Sequence, residues 1–580
     1  MNTFMLKEEV KKLIDAAIKK CFPGAAVLAK VEYPATPGHG DYASACALEL
    51  AKKEGANPRE VAEKIVAALK TPDWISKVEI AGPGFINFFI APKFLTEFVC
   101  EIDKAGEKFG SGQDGKGKTI VIDFSQPNIA KPLGIHHLLS TIIGQSLYNL
   151  YKFLGYKCVG VNHIGDWGTQ FGKLTYAYRK WGDRAAVEKN PIAELLKLYV
   201  KFHEEVEKDA SLEDRGREEF RKLEKGDEEN KKLWEWFCRV SMEEVQKTYD
   251  YLGGIHFDHT QGESFYEDKM EEILELGKLK KVFVKGEEGS LIVKFPGDKY
   301  PPYLVQKSDG ATLYSTRDLA AVNYRTKTWH PEKILYVVDV AQSLHFQQLF
   351  ETAKILGLSK TQLIHVIFGR MQFKDKKMST RKGNIVLLDE VLKESVAKAL
   401  KIVEEKNPDL KNKESVAHAV GVGAAKYTVL SQNRTTNIVF DWEKMLTLSG
   451  NSAPYLQYVY ARAKSILRKN SKFKIQNPKH KPEAQNSKKY ILKEPQELAL
   501  ARLLPKFPEI LRHAAGEYKP NMIAGYLFEV ASAFNGFYNS VPVLQGAESE
   551  QAGRLALVEA TTIVLKNGLN LLGIETPEEM

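Results

Sequence analysis

Apolar residues recur every three or four positions over 6–20, 42–53 and 58–70, which predicts three amphipathic helices at the start of the chain. In VEIAGPGFINFFIA (78–91), β-branched and aromatic residues flank Gly82-Pro83-Gly84, the pattern of two strands joined by a tight turn. Residues 1–110 are therefore expected to form a compact α+β unit. GSGQDGKGK follows with no apolar face, and its glycines and lysines mark a domain boundary. From 119 to 405 strand-like and helix-like patterns alternate: TIVIDFS, a helix over 137–154, KCVGVNHI, then KILYVVDV, a helix over 343–356, LIHVIF and a helix over 387–405. That order predicts βαβ units and a parallel sheet. Within it, 173–290 is rich in Lys and Glu at helical spacing and reads as a helical insertion. Residues 406–580 are helical almost throughout, apart from the basic, polar stretch 469–489, expected as a mobile loop.

Length and composition narrow the class. A chain of 580 residues is too long for one hydrophobic core, and about three or four domains are expected. No apolar run approaches the roughly 18 residues that a membrane span needs, and MNTFMLKEEVKKLIDAAIKKCF alternates charge with apolar residues where a signal peptide would be continuous. A soluble, cytoplasmic protein is expected. The net charge of +9 is modest for this length and favours nucleic acid only weakly. Cys21, Cys46, Cys100, Cys158 and Cys238 are scattered without a CxxC pair, so neither a disulfide framework nor a zinc knuckle is indicated.

Three stretches bear on chemistry. GQDGKGKT (112–119) fits the phosphate-loop pattern, but that mechanism needs the loop after a strand and before a helix, and here it precedes the strand. KPLGIHHLLSTIIG (131–144) has the context the first lacks: it follows strand 119–124, Pro127 and Pro132 oppose helix, and a helix begins near 135–137. A ligand beyond the strand's carboxyl end would meet the positive end of that helix, which suits phosphates, with His137 as a donor. The same letters also suit a helix start whose two histidines pack on neighbours. KDKKMSTRKGN (374–384) sets five Lys/Arg residues in a glycine-containing loop that would suit a triphosphate, or equally a solvated surface loop.

Taken together, these residues resemble a known family. SQPNIAKPLGIHHLLSTIIGQSLYNLYKFLGYKCVGVNHIGDWGTQFG (125–172) resembles the first signature region of arginyl-tRNA synthetases, class I aminoacyl-tRNA synthetases, and KKMSTRKGN resembles their second. The likeness extends to DGATLYSTRDLAA (309–321), AQSLHFQQLF (341–350), the N-terminal GDYA and PGFINF, and PYLQYVYARAKSILRK with LLGIETPEEM at the end. It implies a multidomain α/β protein. A Rossmann-type parallel-sheet catalytic domain (119–405) would carry the helical insertion, between an N-terminal α+β domain for the tRNA elbow (1–110) and a C-terminal all-α anticodon-binding domain (406–580). The implied activity is arginine–tRNA ligation through arginyl-adenylate, with arginine, ATP accompanied by Mg²⁺, and arginine tRNA as partners, no zinc, a monomer, and bound tRNA needed before arginine is activated.

Site residues follow from the resemblance position by position. Asp123, where Glu is usual, and Asn128 would hold the amino and carboxylate region of arginine, helped by Gln342; Tyr314 and Asp318 would take the guanidinium. A carboxylate facing arginine's planar fork forms a bidentate pair that lysine cannot reproduce. Gly134, His137, Lys377, Met378 and Ser379 would bind ATP, with His136, His137, Lys377 and Lys382 as catalytic candidates. Two departures stand out: the usual His-x-Gly-His reads Gly134-Ile135-His136-His137, and Leu139 replaces a common Arg. For tRNA, Phe85 and Asn87 would meet the elbow, while Tyr455, Tyr458 and Arg462, on one helix face, and Met580 would meet the anticodon. Without the resemblance, YSTRD reads as a helix cap, Phe85 as a strand core residue and the tyrosines as a buried stripe.

Overall fold

The computed structural model describes all residues except 1–4, 35, 37, 130, 359, 374–385 and 477–489. Near the N-terminus β1 (Val31–Glu32), β2 (Tyr42–Ser44), β3 (Ile75–Ala81) and β4 (Phe85–Ile90) form an antiparallel sheet ordered β1-β2-β4-β3. Helices Leu6–Cys21, Cys46–Glu54 and Pro58–Ala68 pack beside it. The β3-β4 turn forms as expected, and Gly84, at φ +137°, passes so close to the Pro58 carbonyl that a Cβ would lie 2.8 Å from its oxygen. The second helix starts later than its periodicity suggests. Residues 42–44 instead pair with Phe88, Asn87 and Ile86 of β4, because sheet partners outweigh a local helical pattern.

The next domain is built on a parallel sheet. Its first strand, β5 (Thr119–Asp123), has the continuous apolar run of a strand covered on both faces. Helix His136–Phe153 returns across it, and Gly144 permits the approach, since a Cβ there would lie 2.3 Å from Phe124. Then come β6 (Lys157–Asn162), the helices Thr169–Trp181, Arg184–Lys189, Pro191–Lys208, Ser211–Glu224 and Glu228–Leu252, and β7 (His259–Thr260). Thus the sheet takes a strand from inside the stretch read as insertion; a two-residue His-Thr strand has no hydrophobic pattern to announce it. A small antiparallel sheet, β8 (Phe283–Lys285), β9 (Leu291–Val293) and β10 (Tyr303–Gln306), precedes helix Tyr314–Trp329, β11 (Lys333–Tyr336), helix Ser343–Ile355 and β12 (Gln362–His365).

All five strands of the main sheet run parallel in the order β12-β11-β5-β6-β7. In chain order this reads fifth, fourth, first, second, third, the doubly wound arrangement, with its reversal between β5 and β11. Asp123 and Tyr336, the carboxyl ends of those strands, lie side by side. A ligand crevice is expected just beyond them. Apolar side chains cover both faces: Val121, Val159 and Val161 pack with Leu319 and Leu349, while Ile120 and Ile122 join the core that runs through helix His136–Phe153.

Two further strands, β13 (Met371–Phe373) and β14 (Ile438–Phe440), pair in parallel, so the otherwise helical C-terminal part sends one strand back to the parallel-sheet domain. Its long helices are Lys413–Leu430, Ala453–Gln476, Asn521–Ser540 and Glu548–Leu571, the first of them packed against Leu388–Lys406. Residues 469–476, expected as the start of a basic loop, continue helix Ala453–Gln476; the remainder, 477–489, lies outside the described residues. The false phosphate loop is packed at the wrong end of a helix: Gly112 and Gly115 N–H groups donate to the carbonyls of Phe153 and Leu154. Among the described residues no helix is long and apolar enough to cross a membrane.

Candidate active site at the switch of strand order

The segment leaving β5 is strained and polar. Ser125 and Gln126 both adopt left-handed backbone, at φ +75° and +56°, which costs about 1–3 kcal/mol per residue outside glycine. Their amides are held in place: Ser125 N–H donates to Ser140 Oγ (2.9 Å) and Gln126 N–H to Asn162 Oδ1 (3.2 Å). Ser125 Oγ also bonds Thr141 Oγ1 (2.8 Å) and Tyr249 OH (2.7 Å). The resulting turn lays Asn128 beside Gly165 of the loop after β6, with Ile129 N–H on the Gly165 carbonyl at 3.0 Å. There the buried Oδ1 of Asn128 has no hydrogen-bond partner among the described residues. A buried acceptor left open is rare, and here it suits a ligand's ammonium.

Asp123, expected to meet arginine directly, is 2% exposed. Its Oδ2 accepts from Arg325 Nη1 (2.6 Å) and its Oδ1 from Gln126 Nε2 (2.7 Å). The structure revises that expectation: aspartate, one methylene shorter than the usual glutamate, is buried with one oxygen on Arg325 and the other on Gln126.

Gly134 is buried and bridges Leu387, while Ile135 N–H donates to the Val386 carbonyl (2.9 Å) and Leu388 N–H to that of Leu133 (2.9 Å). The residues just after the second signature are thereby tied to the first. Lys377, Met378, Ser379 and Lys382 lie outside the described residues. His137 Nδ1 lies 3.1 Å from the Gly134 amide nitrogen and 3.2 Å from the Gly134 carbonyl oxygen, accepting from the first in one tautomer and donating to the second in the other. Burial, then the neighbouring His136 ring, pushes its pKa down to about 4. It is therefore neutral near pH 7. His136 is exposed, its ring centroid 4.0 Å from that of His137, and desolvation lowers its pKa against the pull of Asp339. Leu139, 1% exposed, is simply core.

The loop after β6 connects this region to Asp318. While Gly165 touches Asn128, His163 Nε2 lies 3.9 Å from Asp318 Oδ1. On the other oxygen, His345 Nε2 donates to Asp318 Oδ2 at 2.8 Å, and His345 Nδ1 accepts from Tyr303 OH at 3.2 Å. Tyr314, one helical turn before Asp318, is 58% exposed and meets His345 edge-on at 5.0 Å. Gln342 is exposed in the turn that opens helix Ser343–Ile355. Arg317 points away, to Glu267 (2.7 Å) and Glu263 (3.9 Å). Burial raises Glu263 to about 7, Arg317 opposing this and Asp318 adding to it. His163, His345, Tyr303 and Glu263 were not legible as site residues, since each comes from an element distant in sequence from Asp318. Among the described residues no group of three or more His, Cys, Asp or Glu side chains is arranged to hold a metal ion.

The RNA candidates separate. Phe85 is 40% exposed, whereas Asn87 is 4% exposed on the central strand β4. Asn87 is thus corrected from a surface contact to an interior residue. Tyr455, Tyr458 and Arg462 share a half-buried face, as their spacing predicts. Arg462 donates to Tyr458 OH (2.6 Å) and Asn535 Oδ1 (3.1 Å), lies over the rings of Tyr458 and Tyr538, and Asn535 Nδ2 donates to Tyr455 OH (2.8 Å). Met580 packs partly buried on the C-terminal core, its carbonyl accepting from Asn407 Nδ2 (3.2 Å).

Comparison with known proteins gives a consistent result. Residues 101–442 match the family model described as tRNA synthetases class I (R), catalytic domain; 8–90 match the arginyl tRNA synthetase N terminal domain and 456–580 the DALR anticodon binding domain. An arginine–tRNA ligase of Clostridium botulinum is 45% identical over 95% of this chain and 96% of its own length; one of Alkaliphilus metalliredigens is 42% identical over 99% of both. Among solved structures, the arginyl-tRNA synthetase of Plasmodium falciparum superposes with a TM-score of 0.85 at 25% identity, covering 100% of both chains. That of Thermus thermophilus shares the fold, with a TM-score of 0.83 at 24% identity over 99% of this chain and 100% of that one.

Proposed function

The chain belongs to the arginyl-tRNA synthetase family, and from that premise we propose how it works as an arginine–tRNA ligase of protein synthesis. The carboxylate of arginine attacks the α-phosphorus of ATP; the bond to the bridging oxygen breaks, and arginyl-adenylate and pyrophosphate form. A ribose hydroxyl at the 3′ end of the tRNA then attacks the arginyl carbonyl and releases AMP. No covalent enzyme intermediate is required, so catalysis rests on positioning and charge stabilisation.

Asp318 and Tyr314 receive the guanidinium. Asn128 Oδ1 and Gln126, steadied by Asp123, receive the α-ammonium, with Gln342 alongside. His137 donates its Nε2–H to the α-phosphate as charge moves outward, and being neutral it does not compete with Mg²⁺ arriving with ATP. Gly134 keeps the backbone close to the nucleotide. Lys377 and Lys382, with Met378 and Ser379, neutralise the departing pyrophosphate. His136 sits at the mouth, where the family's glycine would leave room for adenine, and the base stacks beside it. Phe85 meets the tRNA elbow, and Tyr455, Tyr458, Arg462 and Met580 the anticodon side. We place the enzyme in the cytoplasm as a monomer that activates arginine only with tRNA bound.

The observation that carries this reading is that the 162–166 loop joins Asn128, whose buried Oδ1 is unpaired among the described residues, to Asp318, whose carboxylate His345 orients, beyond the carboxyl ends of β6 and of β5, the strand that precedes His137. The experiment is ATP-dependent charging of unfractionated tRNA with each amino acid. Selective arginylation is expected. A folded protein that binds tRNA but charges nothing would make this a binding protein whose first signature has lost its chemistry.

A further inference from the structure

Asp318 is already engaged before any substrate arrives. Its partner, His345, stands on a different helix, Ser343–Ile355, which begins immediately after Gln342, and Tyr303 on β10 bonds the far side of the imidazole. Side-chain exposure falls along this chain from 26% at Asp318 to 13% at His345, and Tyr303 as a residue is 4% exposed. The order of partners fixes the protons. Carboxylate oxygen only accepts, so Nε2 carries the hydrogen; in the neutral imidazole Nδ1 is then an acceptor and receives a hydrogen bond from the tyrosine hydroxyl.

We propose that His345, supported by Tyr303, is a positioning residue that sets arginine selectivity by holding the plane of the Asp318 carboxylate. The inference rests on Asp318 being the guanidinium ligand, as proposed above. A carboxylate has about four lone-pair sites, and His345 uses one on Oδ2. Both lone pairs of Oδ1 and one of Oδ2 remain for a two-pronged guanidinium. That pairing requires a coplanar carboxylate, whereas an ammonium is satisfied by almost any orientation. A carboxylate released from His345 would still attract cations but would lose its preference for a planar fork. The same bond joins the helix bearing Tyr314 and Asp318 to the turn bearing Gln342, so both ends of the amino acid share one frame. Arg317 does not compete, being turned toward Glu267 and Glu263, and His163, at 3.9 Å, is beyond hydrogen-bond length.

The test is steady-state charging by the full-length enzyme, with KM for arginine, KM for ATP, kcat and the arginine-to-lysine ratio measured for H345F, H345Q and Y303F. H345F keeps an aromatic ring without a donor. Its KM for arginine should rise about tenfold or more, with KM for ATP unchanged and a smaller preference over lysine. H345Q, which keeps an N–H near the Nε2 position, should recover most of the loss, and Y303F should raise KM for arginine about threefold. A folded H345F with the wild-type KM for arginine, or a fall in kcat alone, overturns the proposal. If H345F does not fold, Y303F decides: a wild-type KM for arginine overturns it. A wild type that charges no arginine removes the functional reading and this inference together, whereas a wild type that charges it with these variants unaltered removes this inference alone.

Discussion

The crevice beside β5 and the Tyr455–Arg462 face of the C-terminal helices are both built from polar side chains on a rigid frame, but they are satisfied differently. In the crevice Asn128 Oδ1 is open, Ser125 and Gln126 are held in left-handed backbone, and His137 is desolvated. On the helical face, Arg462, Tyr458, Tyr455 and Asn535 complete one another's hydrogen bonds. The first arrangement leaves one buried acceptor unpaired among polar groups that are otherwise held. The second is closed on itself, so an RNA base or phosphate must displace existing bonds. With the roles proposed above, small-molecule recognition is preorganised, whereas anticodon recognition is an exchange of partners.

That contrast breaks most readily at Asp318. Asp318→Asn keeps the shape but removes the charge, and arginine-dependent charging should fall at least about a hundredfold in kcat/KM, read by steady-state kinetics, with tRNA affinity unchanged. Equal losses of arginine and tRNA binding would erase the distinction between the two regions.

A pH series sharpens it. Glu263, raised to about 7, is largely protonated below that pH and adds its negative charge above it, so KM for arginine should fall as pH rises from about 6 to 8, and Glu263→Gln should flatten that profile. Linkage gives Glu263 the opposite effect on the ligand-free fold: its folded pKa exceeds the ordinary 4.5, the native state holds the proton longer, and stability declines as pH rises between the two values.

Two histidines respond to acid, His137 in the crevice and His365 at the carboxyl end of β12. His137 and His365 are both lowered from 6.5 to about 4 by burial. The unfolded chain therefore takes up protons first, and stability should fall as pH drops from about 6.5 toward 4, as chemical denaturation at stepped pH would show. The smallest expected effect is on the closed face. Tyr458→Phe removes one neutral partner of Arg462 and should change tRNA affinity by only about threefold in either direction, because the freed guanidinium remains available to RNA.

Much of this was legible in the letters. The apolar run of β5, the helix entered through KPLGIHH and the strand–helix alternation mark a parallel sheet with a site at its carboxyl edge, and chain order alone disposes of GQDGKGKT. What escaped was made by long-range partners. Tyr42–Ser44 is a strand because β4 offers it a ladder, Asn87 is buried because β4 is central, and His345 reaches Asp318 only once two helices are packed. The left-handed pair Ser125-Gln126 carries no glycine signal; it is enforced by Ser140, Asn162 and Tyr249 from other elements.

The central claim is that the site works through His137 although Gly134 and His136 depart from the family's usual first signature. Single-turnover formation of arginyl-adenylate in the presence of tRNA, compared for wild type, His137→Ala and His136→Gly, tests it most directly. The account predicts a loss of about a hundredfold or more for His137→Ala, with His136→Gly as fast as wild type or faster at unchanged thermal stability. A large loss for His136→Gly beside a nearly active His137→Ala would contradict it and make the exposed histidine the working donor.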